Sequence, residues 1–218
     1  MNYNDILTTF FENKYLSFDD VWSDEGEFRE LVANQIFIES QQEAGSEHKS
    51  LRILDIGTGR ARDCEAIAEN GHYFTGLDLI ETKEWVFLKK KYPEQVSFIA
   101  SRFLDWDAGE LRFDLILDSG CFHHQEPEFY KSYLKRVNQL LEPDGRFLLT
   151  VFSPLDPLKS GFQIINDTGR ISRYFSQDEL KQLLAENNFT VKRLAYKTRK
   201  LFSGVYLSIS AMKQKQNA

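Results

Sequence analysis

The sequence predicts an α/β protein: a doubly wound, mostly parallel sheet with helices on both faces and a helical segment ahead of the first strand. Three observations carry that prediction. Short apolar runs alternate with segments of helical period along most of the chain, the pattern of a parallel sheet covered on both sides. The run Asp114-Leu-Ile-Leu-Asp118, preceded by Phe113, is almost continuously apolar, as suits a strand buried on both faces. The stretch Leu51 to Asp63 passes from an apolar run through Gly57 and Gly59 into a helix-period segment, a junction that brings bare backbone N–H groups up to a ligand.

Taken in order, Ile6, Leu7, Phe10 and Phe11 have helical spacing, and Phe28, Leu31, Val32, Gln35, Ile36 and Ile38 suggest a second amphipathic helix. Between them lies Tyr15-Leu-Ser-Phe-Asp-Asp-Val-Trp-Ser-Asp-Glu25, aromatic and acidic together. Gln41 to Ser50 is polar and leads into a first strand through Ile53, Leu54 and Ile56, which Asp55 interrupts. Cys64, Ile67 and Ala68 share one face of the next helix, and a second strand, His72 to Leu77, ends at Asp78. Thr82 to Tyr92 reads as a helix stopped by Pro93. Val96 to Ala100 is a third strand, residues 113–118 a fourth, Phe129 to Leu141 a helix, Pro143-Asp-Gly145 a turn and Arg146 to Phe152 a fifth strand. Ser153 to Phe175 has no clean period, and a connection of that length is usually functional or disordered. Ser176 caps a last helix, with Glu179 three positions on as a capping box, and Asn188-Phe189 ends it. Phe189 to Thr198 and Ser203 to Met212 alternate as a terminal strand pair, and the tail from Lys213 to Ala218 looks frayed.

Composition narrows the function. At 218 residues and 42% hydrophobic content the chain is one domain with a sizeable core. Its net charge of −6 argues against a nonspecific nucleic-acid surface. The basic residues Arg193, Lys197, Arg199 and Lys200 fall on the terminal strands and read as a solvated edge. Two cysteines, Cys64 and Cys121, make no metal spacing and suit a reducing cytoplasm. No signal peptide or membrane span is visible.

The glycine junction admits two ligands. A dinucleotide fingerprint wants a small third residue, but that position falls on Arg62. The pattern present, Asp-x-Gly-x-Gly-x-Ala over Asp55 to Ala61, resembles the first motif of the class I S-adenosylmethionine (SAM) methyltransferases. Asp78, about 20 positions on, stands where a carboxylate meets a ribose. Arg136-Val-Asn-Gln-Leu-Leu-Glu-Pro-Asp-Gly145 and Tyr174-Phe-Ser-Gln-Asp-Glu-Leu180 are similar to two further stretches of that family. The resemblance implies a seven-stranded sheet with the last strand antiparallel, a SAM-binding methyltransferase domain over residues 49–212 and an N-terminal helical cap over 1–48. It also implies a small-molecule acceptor, S-adenosylhomocysteine (SAH) as product, and a monomer or homodimer. The glycine loop, with Asp55, Gly57, Thr58 and Gly59, would pass the methionine part of SAM. Asp78, with Leu79 beside it, would hold the ribose hydroxyls. The departure is Ala61 where glycine is usual, tolerable unless that residue needs a positive φ.

Ligands of open parallel sheets bind beyond the carboxyl ends of the strands. After the third strand the family often has an acid that accepts the adenine amino group; here Arg102 stands at that place, with Asp105 three residues on and Phe103 able to stack on the ring. Asp118-Ser-Gly-Cys-Phe-His-His124 is the most chemically loaded run. Asp118 supports this loop or meets the SAM ammonium, and Cys121 would lie near the sulfonium. Methyl transfer from a sulfonium needs mainly alignment, and a base only where the acceptor is protonated at neutral pH. An imidazole titrates in that range, so His123 or His124 is the candidate base. Cys121, His123 and His124 would need to share one face to hold a metal, and none is expected. Tyr15, Trp22, His123, Phe162 and Tyr174 are the candidate walls of the acceptor pocket. A non-catalytic SAM- or SAH-binding module of the same fold, and a dinucleotide-dependent oxidoreductase, are the alternatives.

Overall fold

The computed structural model describes residues 2–17, 50–156, 158–198 and 204–214. The expected second N-terminal helix, and with it Phe18 and Trp22, lies outside them. Helix α1 is Tyr3–Ser17 and strand β1 is Arg52–Ile56. They are followed by α2 (Cys64–Glu69), β2 (Tyr73–Asp78), α3 (Lys83–Lys91), β3 (Val96–Ala100), β4 (Phe113–Ser119), α4 (Tyr130–Leu140) and β5 (Leu141–Ser153). Strands β6 (Phe162–Ile165) and β7 (Ile171–Tyr174), helix α5 (Gln177–Glu186) and strands β8 (Phe189–Thr198) and β9 (Val205–Lys213) complete the chain.

The seven expected strands lie in the order β3-β2-β1-β4-β5-β9-β8, the first five parallel and β9 antiparallel to both its neighbours. Side-chain alternation assigns each strand's apolar residues to two cores. Leu54, Ile56, Ile116, Phe147 and Leu149 pack with Tyr133, Leu134 and Val137 of α4 and with Leu180 and Leu184 of α5. Ile53, Leu115, Leu117 and Leu148 pack on the other face with Cys64 and Ile67 of α2 and with Trp85 of α3. Every residue of β4 from Phe113 to Asp118 is buried, which explains its continuous apolar run. Strand order reverses between β2 and β4 on either side of β1, so the crevice beyond Ile56 is the place where this topology leaves room for a ligand.

Three expectations change in detail. The turn at Pro143-Asp-Gly145 falls inside β5: Phe113 pairs with Leu141 and Leu115 with Arg146, so the turn is an excursion between two paired positions. The unpatterned connection from Ser153 to Phe175 holds an antiparallel hairpin, β6 and β7, joined to the sheet by the single pair Phe152–Tyr174. It escaped detection because all four residues of β6 are exposed, so no alternation marks it. Ser176 Oγ accepts from the Glu179 N–H at 3.2 Å as expected. The Glu179 carboxylate, however, is taken by Arg173 instead of closing a capping box.

Candidate functional site

The glycine loop is held from below by its neighbour strand. The N–H groups of Gly57 and Thr58 both donate to the Leu77 carbonyl, at 2.7 and 3.1 Å. Gly57 and Gly59 take φ of +74° and +51°, where a side chain is strained. Space is short as well: a Cβ on Gly57 would lie 2.8 Å from Cys121 Cβ, and one on Gly59 would lie 2.6 Å from the Tyr15 hydroxyl. The indole Nε1–H of Trp85 donates to the Gly59 carbonyl at 2.8 Å, fixing the loop's second half. Ala61 does require a positive φ, +52°, so its departure from glycine is a strained one.

Asp78 closes β2 with its carboxylate turned to this loop. Its oxygens accept from the N–H groups of Gly59, at 2.8 Å, and Ile80, at 3.1 Å. Burial pushes the carboxyl up to about 6 despite those bonds. Asp118 also sits at about 6, raised by burial against the pull of its hydrogen bonds. It accepts from Cys121 and Phe122 N–H at 2.8 and 3.1 Å and from the Tyr133 hydroxyl. Fully buried and committed to those partners, Asp118 holds the loop in shape and does not line the cleft.

That loop delivers the histidine pair as a single 3₁₀ turn, Phe122–His124. The His123 ring stacks on Phe152 with centroids 3.7 Å apart. His124 Nδ1 lies 2.7 Å from the Ile171 carbonyl, which fixes the N–H there, and Arg170 Nη1 sits 3.0 Å from both ring nitrogens. His124 is therefore bound to the hairpin and not poised as a base. Its carbonyl accepts from the Tyr3 hydroxyl at 2.6 Å, and that hydroxyl accepts in turn from the Ile171 N–H at 3.0 Å.

Helix α1 buries only Leu7, so polar ties do much of the work of seating it. Tyr3 is one. Arg60, next to the glycines and itself buried, is the other: its guanidinium donates to the Tyr15 carbonyl at 2.7 Å and to Glu84 at 2.9 Å. The glycine loop, α1, the histidine turn and the hairpin together enclose a cavity of about 600 Å³, a size suited to a drug-sized ligand.

Of the residues singled out from sequence, Asp55, Gly57, Thr58, Gly59, Asp78, Leu79, Arg102, Phe103, Cys121, His123, His124, Tyr15 and Tyr174 line this one cleft. Phe162 does not; it stacks on Tyr174 at 4.6 Å and is 45% exposed, because the hairpin turns its β6 side outward. Asp105 is also outside, paired with Arg102 at 3.1 Å. The cleft wall includes Phe11, Phe152, Arg170 and Tyr206, which sequence reasoning missed as site residues. Phe152 ends the fifth strand, Arg170 lies in the unpatterned connection after it and Phe11 on the first helical segment, so position pointed to their segments but not to these residues. The Cys121 thiol is held well above its ordinary pKa by burial and stays protonated. No cluster of metal-binding side chains occurs among the described residues.

A Rossmann-like sheet with this loop, this strand-end acid and this cleft defines a class I SAM-dependent methyltransferase. The chain belongs to the methyltransferase domain family, whose model matches residues 27–194. It is 36% identical to Burkholderia thailandensis 1,6-didemethyltoxoflavin-N1-methyltransferase, whose crystal structure contains 1,6-didemethyltoxoflavin and SAH. That match covers 97% of this chain and 89% of the other, with a TM-score of 0.84. Over 114 residues it is 32% identical to the probable thiol methyltransferase 2 of Arabidopsis thaliana, covering 50% of each chain. Over 105 residues it is 29% identical to the 2-heptyl-1-hydroxyquinolin-4(1H)-one methyltransferase of Mycobacteroides abscessus, covering 46% of this chain and 45% of the other. The chain thus spans about half the length of these two curated relatives. SAM is the cofactor of the family, and the dinucleotide alternative falls away.

Proposed function

We propose that this chain transfers the SAM methyl group to a small planar heteroaromatic acceptor by in-line displacement. The observation that carries this is the continuity of two surfaces. The glycine loop and Asp78 open directly onto a wall of clustered rings, in which His123 stacks on Phe152 at 3.7 Å while Tyr174, at 5.4 Å, and Tyr206, at 5.9 Å, lie tilted to it by ring centroids. Such rings hold a flat acceptor and keep water from the sulfonium. The acceptor's lone pair attacks the methyl carbon, the carbon–sulfur bond breaks, and its electron pair stays on sulfur as neutral SAH.

The roles follow position. Gly57 to Gly59 and Asp55 pass the methionine part, and Asp78 accepts the ribose hydroxyls. Leu79, Arg102 and Phe103 flank the adenine, and Cys121 packs beneath Gly57. His123 faces the acceptor, and His124 positions the hairpin. The segment over residues 1–48 acts as a cap, supported by α1 against the cleft. A reducing cytoplasm is supported by free Cys64 and Cys121.

The test is a methyl-transfer assay with SAM across azapteridine-diones, 1-hydroxyquinolin-4-ones and simple thiols. SAH release with the flat heteroaromatics above that with thiols is expected. Tight SAH binding with no turnover of any acceptor would instead favour a binding module.

A further inference from the structure

Several guanidinium groups at and beside this cleft have carboxylate partners. Arg60 has Glu84, Arg102 has Asp105 and Arg173 has Glu179. Arg170, at the base of the turn that joins β6 to β7, pairs with no carboxylate among the described residues. Its Nη1 lies 3.0 Å from each ring nitrogen of His124 and 3.3 Å from Ser172 Oγ, and its Cζ sits 4.2 Å from the centre of the Phe10 ring. Its Nε is buried and has no hydrogen-bond partner. The titratable groups facing it are the phenols of Tyr3 and Tyr174 and the imidazole of His124. Burial holds the Tyr3 phenol at about 12, so it stays neutral and supplies no counter-charge. A guanidinium cannot shed its proton to escape this setting.

A cation among aromatic rings gains something from their faces but stays poorly compensated away from water. The cofactor adds the positive charge of its sulfonium to the same cleft. None of the carboxylates that line the cleft, Asp55, Asp63 and Asp78, pairs with Arg170, so a neutral acceptor would leave that guanidinium uncompensated, whereas an anionic one offsets it.

We propose that Arg170 is a specificity-determining residue that selects acceptors in their ionised form, small planar heteroaromatics with an acidic ring N–H or O–H. This rests on the methyltransferase reading above. The acceptor loses its proton to solvent on entering the cleft. The resulting lone pair attacks the methyl carbon, and neutral SAH and the neutral methylated product remain. No protein base is then needed, which accords with a His124 whose Nδ1 is held by the Ile171 carbonyl. Arg170 lowers the acceptor's effective pKa and orients the ring that carries the charge.

Binding to the SAH-loaded protein tests this without turnover. Lumazine, a flat fused heteroaromatic with an ionisable ring N–H, is compared with quinoxaline, a flat fused heteroaromatic that has none. Calorimetry runs from about pH 7 to about pH 10, above the range in which the Asp78 and Asp118 carboxyls, at about 6, take up protons, and spanning ionisation of the probe. Lumazine affinity should rise with pH and exceed that of quinoxaline by about tenfold or more at the alkaline end. In Arg170→Met that rise should vanish while SAH and quinoxaline affinities hold, and Arg170→Lys should retain part of it. Lumazine binding that ignores pH, that survives Arg170→Met, or that does not exceed quinoxaline binding overturns the proposal. A wild-type protein that binds no SAH overturns the methyltransferase reading together with it.

Discussion

Asp78 sits in an environment that opposes its own charge, and the role proposed for it depends on that charge. Its folded carboxyl, at about 6, lies above the ordinary 3.8. Between those values the folded protein takes up a proton that the unfolded chain does not, so acidification relieves a burial penalty and stabilises the free protein through this group. With Asp78 as the proposed acceptor of the ribose hydroxyls, cofactor binding moves the opposite way, because those hydroxyls need an ionised acceptor. SAM affinity measured by calorimetry should therefore weaken as pH falls through about 6. Asp78→Asn should weaken binding at neutral pH by about 1–3 kcal/mol and remove most of that pH dependence, leaving whatever Asp118 contributes through the loop. Gly57→Ala meets both a positive φ and a Cβ at 2.8 Å from Cys121, and Cys121 is backed by the loop that Asp118 holds. We expect destabilisation of about 2–4 kcal/mol in denaturant melts, with loss of SAM binding. At Ala61 the opposite substitution is instructive. Ala61→Gly relieves the strain of φ +52° but frees the unfolded chain, so its stability should stay within about 1 kcal/mol of wild type.

At the scale of elements, α1 and the hairpin are tied together beside the cleft. The Tyr3 hydroxyl takes the Ile171 N–H from β7 and gives its proton to the His124 carbonyl, joining α1, the hairpin and the histidine turn at one atom. Tyr3→Phe leaves that backbone N–H and carbonyl without the hydroxyl between them. It should cost about 1–2 kcal/mol and raise the acceptor KM while SAH affinity stays unchanged. Arg60 fastens the other end of α1 to the glycine loop, and its loss leaves Glu84 without a counter-charge. Arg60→Met should destabilise the protein by about 2–3 kcal/mol and expose residues 3–17 to limited proteolysis, which SAM should partly suppress.

For the whole molecule, the sheet is a platform whose carboxyl edge is furnished by segments far apart in sequence, and cofactor binding must pull them together. SAH at ~100 times its dissociation constant should add about 2.7 kcal/mol, several degrees in the melting temperature of a domain this size. NAD at the same concentration should shift it by nothing measurable. Equal shifts with both would contradict the cofactor assignment.

The sequence by itself determined the sheet, the order of its helices, the glycine loop and the acid at the end of β2. Each is written locally: period in Ile53 to Ile56 and in Tyr130 to Leu140, positive φ in Gly57 and Gly59, a strand end at Asp78. Tertiary structure alone decided what Asp118, His124 and Arg170 touch. Asp118 and His124 look like chemistry in sequence, yet packing against Tyr133 and Ile171 uses up their polar atoms. Arg170 has no signal in the sequence, yet the hairpin carries it over Phe10 at the cleft, where no carboxylate pairs with it among the described residues. The physical reason is range. Backbone geometry and hydrophobic period act over a few residues, whereas the partner that satisfies or strands a buried polar group comes from anywhere in the chain, here 47 residues from His124 to Ile171.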